Sequence, residues 1–460
     1  MTALPRASRE AAISEDILTG RLSSTVWALT WPAAVALFLQ TLTNLVDRFF
    51  VAHLGGTQVA ALGLAQNLSN LVLGTVVAIS AATTAMVARF RGAGNEHDAV
   101  EATRQSLYFC VFASLAVMAM VYPAARPLLT LMAGRSEAVV DPATTYLLIT
   151  MLGLVPLFGM TIIIAAVRGT GDMITPVKLT LASALLTAVL DWVLIFGHLG
   201  LPALGLRGAA IAVVSARCMA CALGLYLLYG SCLKDALALA PMKLSWLRRV
   251  VALGLPAGLQ ALLRSGAGMV YFSLLGRLAH SEPAMAALTI GLGIEAIAFM
   301  PGFAFSAAAA AVVGQNLGAG SPARASEAGW TCARQAVIVM TVMAVIFFVL
   351  AGPIVSLFTR DPLIHRLTVG YLRINALSEP FIGLNMTLSG ALQGAGDTHS
   401  PTIVTLVTMW LFRLPLTYLI AVHMGYGVTA AWWTMCISMV MSGVVSSIIW
   451  AAGRWRTIQI

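Results

Sequence analysis

Charge is scarce in this sequence: Asp, Glu, Lys and Arg make up 10% of the 460 residues, while hydrophobic side chains make up 59%. A soluble domain carries roughly 25% charged residues, so this chain lacks the means to cover a water-facing surface and lipid is its expected solvent. Cysteine is sparse too, and Cys110, Cys218, Cys221, Cys332 and Cys436 lie in or beside apolar runs without metal-ligand partners. The Cys218/Cys221 spacing has the form CxxC, but its place within an apolar run argues against redox or metal chemistry. His53, His198, His280 and His423 are scattered and lack ligand spacing, so no metal site and no cofactor is expected. No nucleophile with its base and no His/Asp constellation marks an enzyme. No filter sequence or charged ring marks a channel. The net charge of +9 is dispersed over short loops and forms no continuous stripe, which excludes a nucleic-acid surface. No cleavable leader is expected either, because residues 1–24 are polar and mixed in charge and the first apolar run begins near Thr25.

What the chain has in abundance is apolar runs long enough to cross a bilayer, which needs about 20 residues. Runs bounded by charge, Gly and Pro predict helices over 25–51, 58–88, 105–132, 143–168, 174–198 and 206–231. A second set is predicted over 246–278, 284–314, 330–358, 364–393, 400–424 and 427–453. The expected fold is an all-α polytopic membrane protein of about twelve spans. Its expected divisions are a cytoplasmic segment 1–24, a first lobe 25–231, a linker 232–245, a second lobe 246–453 and a cytoplasmic tail 454–460. Lys and Arg concentrate in loops that face the cytoplasm if the amino terminus is inside, with Lys234, Lys243, Arg248 and Arg249 the densest cluster.

One half of the chain repeats the other at an offset of about 225 residues. Pro32 in LTWPAAVALFLQ returns as Pro256 in LGLPAGLQALLR, and Ala60, Ala61, Leu62 return as Ala286, Ala287, Leu288. Gly92, Ala93, Gly94 return as Gly318, Ala319, Gly320, and RGTGDMITP (Arg168 to Pro176) returns as QGAGDTHSP (Gln393 to Pro401). An even number of spans per half makes the repeats parallel, with a pseudo-two-fold axis along the membrane normal and a cavity expected between two six-helix lobes. The glycine motifs fall at helix ends, where Gly caps a C-terminus, and read as structural turns.

These residues resemble the multidrug and toxic compound extrusion (MATE) family, within the multidrug/oligosaccharidyl-lipid/polysaccharide exporter superfamily. The resemblance runs from about Thr25 to Gly453 and is carried by TWPAAVALFLQTLTNLVDRFFVAHLG, ARFRGAGN, RGTGDMITP, DWVLIFG, VVGQNLGAG and LQGAGDTHSP. It implies a V-shaped pair of bundles, alternating access, and exchange of protons or sodium for amphiphilic, often cationic, small molecules. It also implies a multi-pass protein of the bacterial inner membrane, here expected to act as a monomer with lipid and substrate as its partners.

An ionised acid at the bilayer centre costs roughly 2.5–3.5 kcal/mol on insertion scales, so a retained acid there calls for a partner, water or a proton. Four such acids are present: Asp47, Asp191, Glu295 and Glu379. Asp47 matches the first-helix acid of the family and follows Pro32 by fifteen residues. An interior proline frees a backbone carbonyl and makes a helix prone to kink. Asp191 matches a fifth-helix acid of the archaeal-type and DNA-damage-inducible-protein-F-like branches. If the two converge, they resist being ionised together, which readies one of them to take a proton. Asn44 and Gln40 share the helical face of Asp47, and Thr187 lies one turn before Asp191. The set Asp47, Asp191, Asn44, Gln40 and Thr187 is therefore the candidate ion-coupling site, with plain interfacial charge as the competing reading for either acid. Relatives in the family place Thr where this chain has Val213, and a poorer oxygen set favours protons over sodium.

In the second half, Arg264 stands where one branch has an acid. A buried guanidinium there would seek Glu295, Glu379 or an anionic substrate group. Glu379 precedes Pro380, which is expected to break its helix. Arg264, Glu295, Glu379 and Arg413 form either a structural polar network or a substrate contact. The functional expectation is a proton-driven multidrug antiporter, with a lipid or lipid-linked oligosaccharide flippase of the same superfamily as the alternative.

Overall fold

The computed structural model describes residues 6–133, 137–198, 200, 202–278 and 281–458, and among them regular structure is entirely helical. Helices are the expected answer to lipid, where a backbone amide finds no water and must be satisfied within its own segment. The elements are α1 (Arg6–Thr19), α2 (Leu22–Ala52), α3 (Gly56–Gly92), α4 (Glu96–Ala133), α5 (Glu137–Leu152), α6 (Leu154–Gly169), α7 (Ile174–Phe196) and α8 (Leu206–Tyr229). They continue with α9 (Leu244–Leu275), α10 (Ser281–Gly318), α11 (Pro322–Ser356), α12 (Pro362–Ala376) and α13 (Glu379–Gly394). Two last spans, His399–His423 and Gly427–Ala452, complete the chain.

Ten of these helices are each long and apolar enough to cross a membrane, and α5 with α6, bent by 51° at Gly153, makes an eleventh span. The pair α12 and α13 sits 225 residues further on and occupies the twelfth place. Its break falls at Leu377 and Ser378, immediately before Glu379 and Pro380. A proline in the first turn of a helix loses no intrahelical bond, so the chain restarts there instead of kinking in mid-helix. The His399–His423 span widens into π-helical turns at Leu406–Arg413 and Tyr418–His423.

Each repeat packs its fourth span, α6 or α13, against its second, α3 or α10, through the glycine that ends it. A side chain on Gly169 would strike Val87, and one on Gly394 would strike the backbone at Ala310. Small residues at such contacts let helices approach closely where no hydrophobic force drives them together. The second glycine of each repeated motif, Gly94, Gly171, Gly320 and Gly396, has positive φ. The motifs are thus left-handed turns that end helices, as the sequence suggests.

Two compact units divide the chain. Unit 1 takes the residues up to Asp16 together with Trp31–Gly258, and unit 2 takes Ile17–Thr30 and Leu259–Ile460. The divisions fall inside α1, between Asp16 and Ile17, inside α2, just before Pro32, and inside α9, just after Pro256. Within unit 1, the stretch 232–245 is tied to α4. Arg104 donates to the Asp235 carbonyl at 2.5 Å, Gln105 to the Pro241 carbonyl at 3.0 Å, and Lys243 pairs with Glu101 at 3.1 Å.

Residues 1–24, read from sequence only as a polar segment, include α1. Its buried residues Glu10, Ser14 and Ile17 are spaced along one face, as an amphipathic helix requires. Arg6 donates to Thr175 at 2.8 Å and to Asp172 at 3.3 Å, while Glu10 accepts from the amide of Cys232 at 2.8 Å. Asp172 also caps α7 by accepting from the amides of Ile174 and Thr175. The aspartate of the RGTGD motif thereby anchors both helices.

Candidate ion-coupling site

Asp47 lies in the last two turns of α2 and is 6% exposed, and Asp191 lies in α7 and is 0% exposed. Oδ1 of Asp47 and both carboxylate oxygens of Asp191 are buried without a hydrogen-bond partner. Such groups are rare in folded proteins, because a buried acceptor left unpaired costs about 1–3 kcal/mol. The two acids are close enough for the charge of Asp47 to act on Asp191. Tyr146 of α5 feels both carboxylates, and half-buried Arg217 of α8 feels Asp47 and Tyr146. Four spans of unit 1 therefore converge on one small electrostatic cluster.

The other residues expected at this site are arranged differently. Gln40 and Asn44 are exposed and make no hydrogen bond to Asp47. They follow its helical stripe without a hydrogen bond to the buried acid. Thr187 is buried, and its hydroxyl donates to the Ser183 carbonyl at 2.8 Å, leaving its oxygen only as an acceptor or ligand. Pro32 lies inside α2, which stays helical through it.

Unit 2 holds a second buried cluster. The phenol of Tyr371 donates to Oε2 of Glu295 at 2.6 Å, and Arg413 donates through Nε to Ser438 at 2.6 Å. Arg413 acts electrostatically on Glu295, which in turn acts on Glu379. Glu379 is 0% exposed and both its oxygens lack a partner. It opens α13, where the free amides of the helix start favour negative charge. Arg413 ends a π-helical segment, a widened turn that often accompanies functional positions. Arg264 is not part of this cluster. Its side chain is exposed and forms no ion pair with Glu295 or Glu379.

Tyr146, Arg217 and Tyr371 were not singled out from sequence. Two signals existed. Tyr146 and Tyr371 are the same repeat position, 225 residues apart, and Arg217 is a cation in the middle of an apolar run. Among the described residues no group of three or more His, Cys, Asp or Glu is placed to hold a metal ion, and all six cysteines are free.

The MatE family model matches residues 32–193 and 256–419, one match in each repeat. The probable multidrug resistance protein NorM of Thermotoga maritima is 26% identical over 432 residues, which are 93% of this chain and 92% of that protein. The FAD transporter of Shewanella oneidensis is 26% identical over 386 residues, 82% of this chain and 83% of its own. In fold, the chain is similar to a multidrug resistance MATE family transporter of the MOP superfamily solved in an outward-facing conformation. That TM-score is 0.87 at 22% identity, covering 95% of this chain and 98% of the other.

Proposed function

This chain belongs to the MatE family of membrane transporters, and we propose that it works as an antiporter that expels small amphiphilic, often cationic, molecules in exchange for protons. It is a multi-pass transporter and not an enzyme. The observation that carries the ion-coupling reading is the Asp47/Asp191 pair, buried together with three oxygens that have no hydrogen-bond partner. A carboxylate in that state is costly, whereas a neutral carboxylic acid is tolerated. Proton binding and release therefore change the energy of the surroundings more than any other event available in unit 1.

In this mechanism, protonation neutralises the pair and removes its hold on Arg217 and on the phenol of Tyr146. α2 is the element that responds. It carries Asp47 near one end and Pro32 further along, and Pro32 leaves a carbonyl one turn earlier without its hydrogen bond. The helix has two arrangements of similar energy there, and the charge on Asp47 selects between them. Deprotonation on the other side of the membrane resets it. Protons are favoured over sodium because a hard cation needs several oxygen ligands. Here Gln40 and Asn44 make no hydrogen bond to the acid, and the sixth span offers Val213. On the same reading we propose that the protein acts as a monomer in the bacterial inner membrane with both termini cytoplasmic.

Reconstituted vesicles loaded with a cationic dye test this reading. An imposed pH gradient should drive dye movement and an equal sodium gradient should not. Sodium-driven movement without a pH gradient would overturn the proton assignment. Movement of labelled lipid in place of dye would favour the flippase.

A further inference from the structure

Unit 1 contains a cavity of about 300 Å³. Its lining includes Leu54, Gln58, Asp141, Thr145 and Arg207. Asp141 and Arg207 are exposed and form its mouth, while Oε1 of Gln58 is buried without a hydrogen-bond partner. Three of the chain segments around it also carry members of the acid cluster. Leu54 follows Asp47 by seven residues, about 10 Å along the helix direction. Thr145 is the immediate neighbour of Tyr146 on α5. Arg207 precedes Arg217 by ten residues of α8, about 15 Å. The cavity thus lies at the end of unit 1 toward which Asp47 is placed, roughly two helical turns from the acids.

We propose that this cavity is a water-filled antechamber through which protons pass between bulk water and the Asp47/Asp191 pair, inside one unit and apart from the route of the exported molecule. The proposal rests on the reading of that pair as the proton site. Its volume suits on the order of ten waters, and each needs two to four polar partners to stay. Gln58, Thr145, Asp141 and Arg207 supply them, and the unpaired oxygen of Gln58 is an acceptor awaiting a donor. At about 300 Å³ the cavity stands at the small end of the range that holds drug-sized ligands, and Leu204 and Leu206 give it an apolar wall beside the polar groups.

Charges of both signs line the path. At the mouth, Asp141 pairs with Arg126 of α4 at 3.1 Å, with Arg207 of α8 beside the same opening. Nearer the acids, exposed Arg48 of α2, which donates to Gln66 at 3.2 Å, and Arg217 of α8 act on Asp47, and both acids act on Tyr146 of α5. A proton relayed over water oxygens passes a carboxylate at each end, Asp141 at the mouth and Asp47 within. A larger cation would have to shed its hydration beside two arginines.

The test replaces the six native cysteines, introduces Thr145→Cys, and alkylates the reconstituted, already folded protein with a bulky maleimide. The expected result is at least a fivefold loss of pH-driven ethidium transport, with the Kd for ethidium changed by less than twofold. Gln58→Leu, which dries the cavity without filling it, should slow transport in the same way. An adduct that leaves the rate unchanged overturns the proposal. So does one that weakens ethidium binding in step with the rate, because the cavity would then hold the dye. Asp47→Asn in the same background separates the two readings. Its inactivity beside a harmless Thr145 adduct removes the antechamber alone, whereas full activity removes the acid pair and with it the destination of the path.

Discussion

The phenol of Tyr371 and the carboxylate of Glu295 meet at 2.6 Å in unit 2, and the charges of Asp47 and Asp191 act on Tyr146, the equivalent tyrosine of the first repeat. One tyrosine position thus serves the buried acids of both repeats. In unit 2 the contact is a closed hydrogen bond. In unit 1 it is electrostatic, and the acid oxygens stay unpaired. Glu379 of unit 2 also keeps both oxygens unpaired, so the contrast between the repeats lies in Glu295 and not in every acid of unit 2.

Removing the hydroxyl of Tyr371 should therefore cost stability. Tyr371→Phe deletes a buried hydrogen bond to a carboxylate, worth about 1.5–3 kcal/mol. A lowered melting temperature in detergent checks it, and an unchanged one would mean that Glu295 finds another donor.

Gly291 makes room for the ring of Tyr371, since a side-chain carbon there would overlap Cδ1 and Cε1. Overpacking of this kind costs about 1–3 kcal/mol. Gly291→Ala should destabilise unit 2, and combining it with Tyr371→Leu should cost less than the sum of the two changes, because they share one contact. Thermal denaturation of the four proteins measures the coupling.

Arg217 is the cation that Asp47 and Tyr146 feel in α8. Arg217→Gln should slow pH-driven transport by about tenfold, the equivalent of about 1.4 kcal/mol, while Arg217→Lys keeps most of the rate. Equal losses in both would point to packing of the guanidinium and not to its charge.

Cys232 lies outside the spans, and its thiol is held well above the ordinary range by burial and by the neighbouring carboxylate of Glu10. The thiolate is the reactive form. Alkylation of Cys232 in a protein lacking the other five cysteines should therefore stay slow through neutral pH and rise only above the usual thiol range of about 8.5. Glu10→Gln should move that rise to lower pH, read as the iodoacetamide rate against pH.

The spans were legible because lipid imposes a single rule, long apolar runs closed by polar ends, and the chain obeys it from Leu22 to Ala52 onward. The glycine turns were legible because the repeat printed them twice. α1 was not, since its mean composition is polar and only the spacing of Glu10, Ser14 and Ile17 betrays a buried face. The break at Gly153 was hidden within one apolar run, whereas its counterpart was foreshadowed by Glu379–Pro380. At the site, Asp47 and Asp191 stood out as acids in apolar runs. Tyr146 did not, because a tyrosine in lipid carries no charge to betray it. Arg264 misled because sequence gives the depth of a residue along a helix and not the side it faces.

The most direct measurement of the central claim is pH-driven dye transport by Asp47→Asn and Asp191→Asn in reconstituted vesicles, with correct folding verified for each. Each variant should lose transport under a pH gradient, and neither should move protons when dye is added. Wild-type rates in either variant would contradict the account.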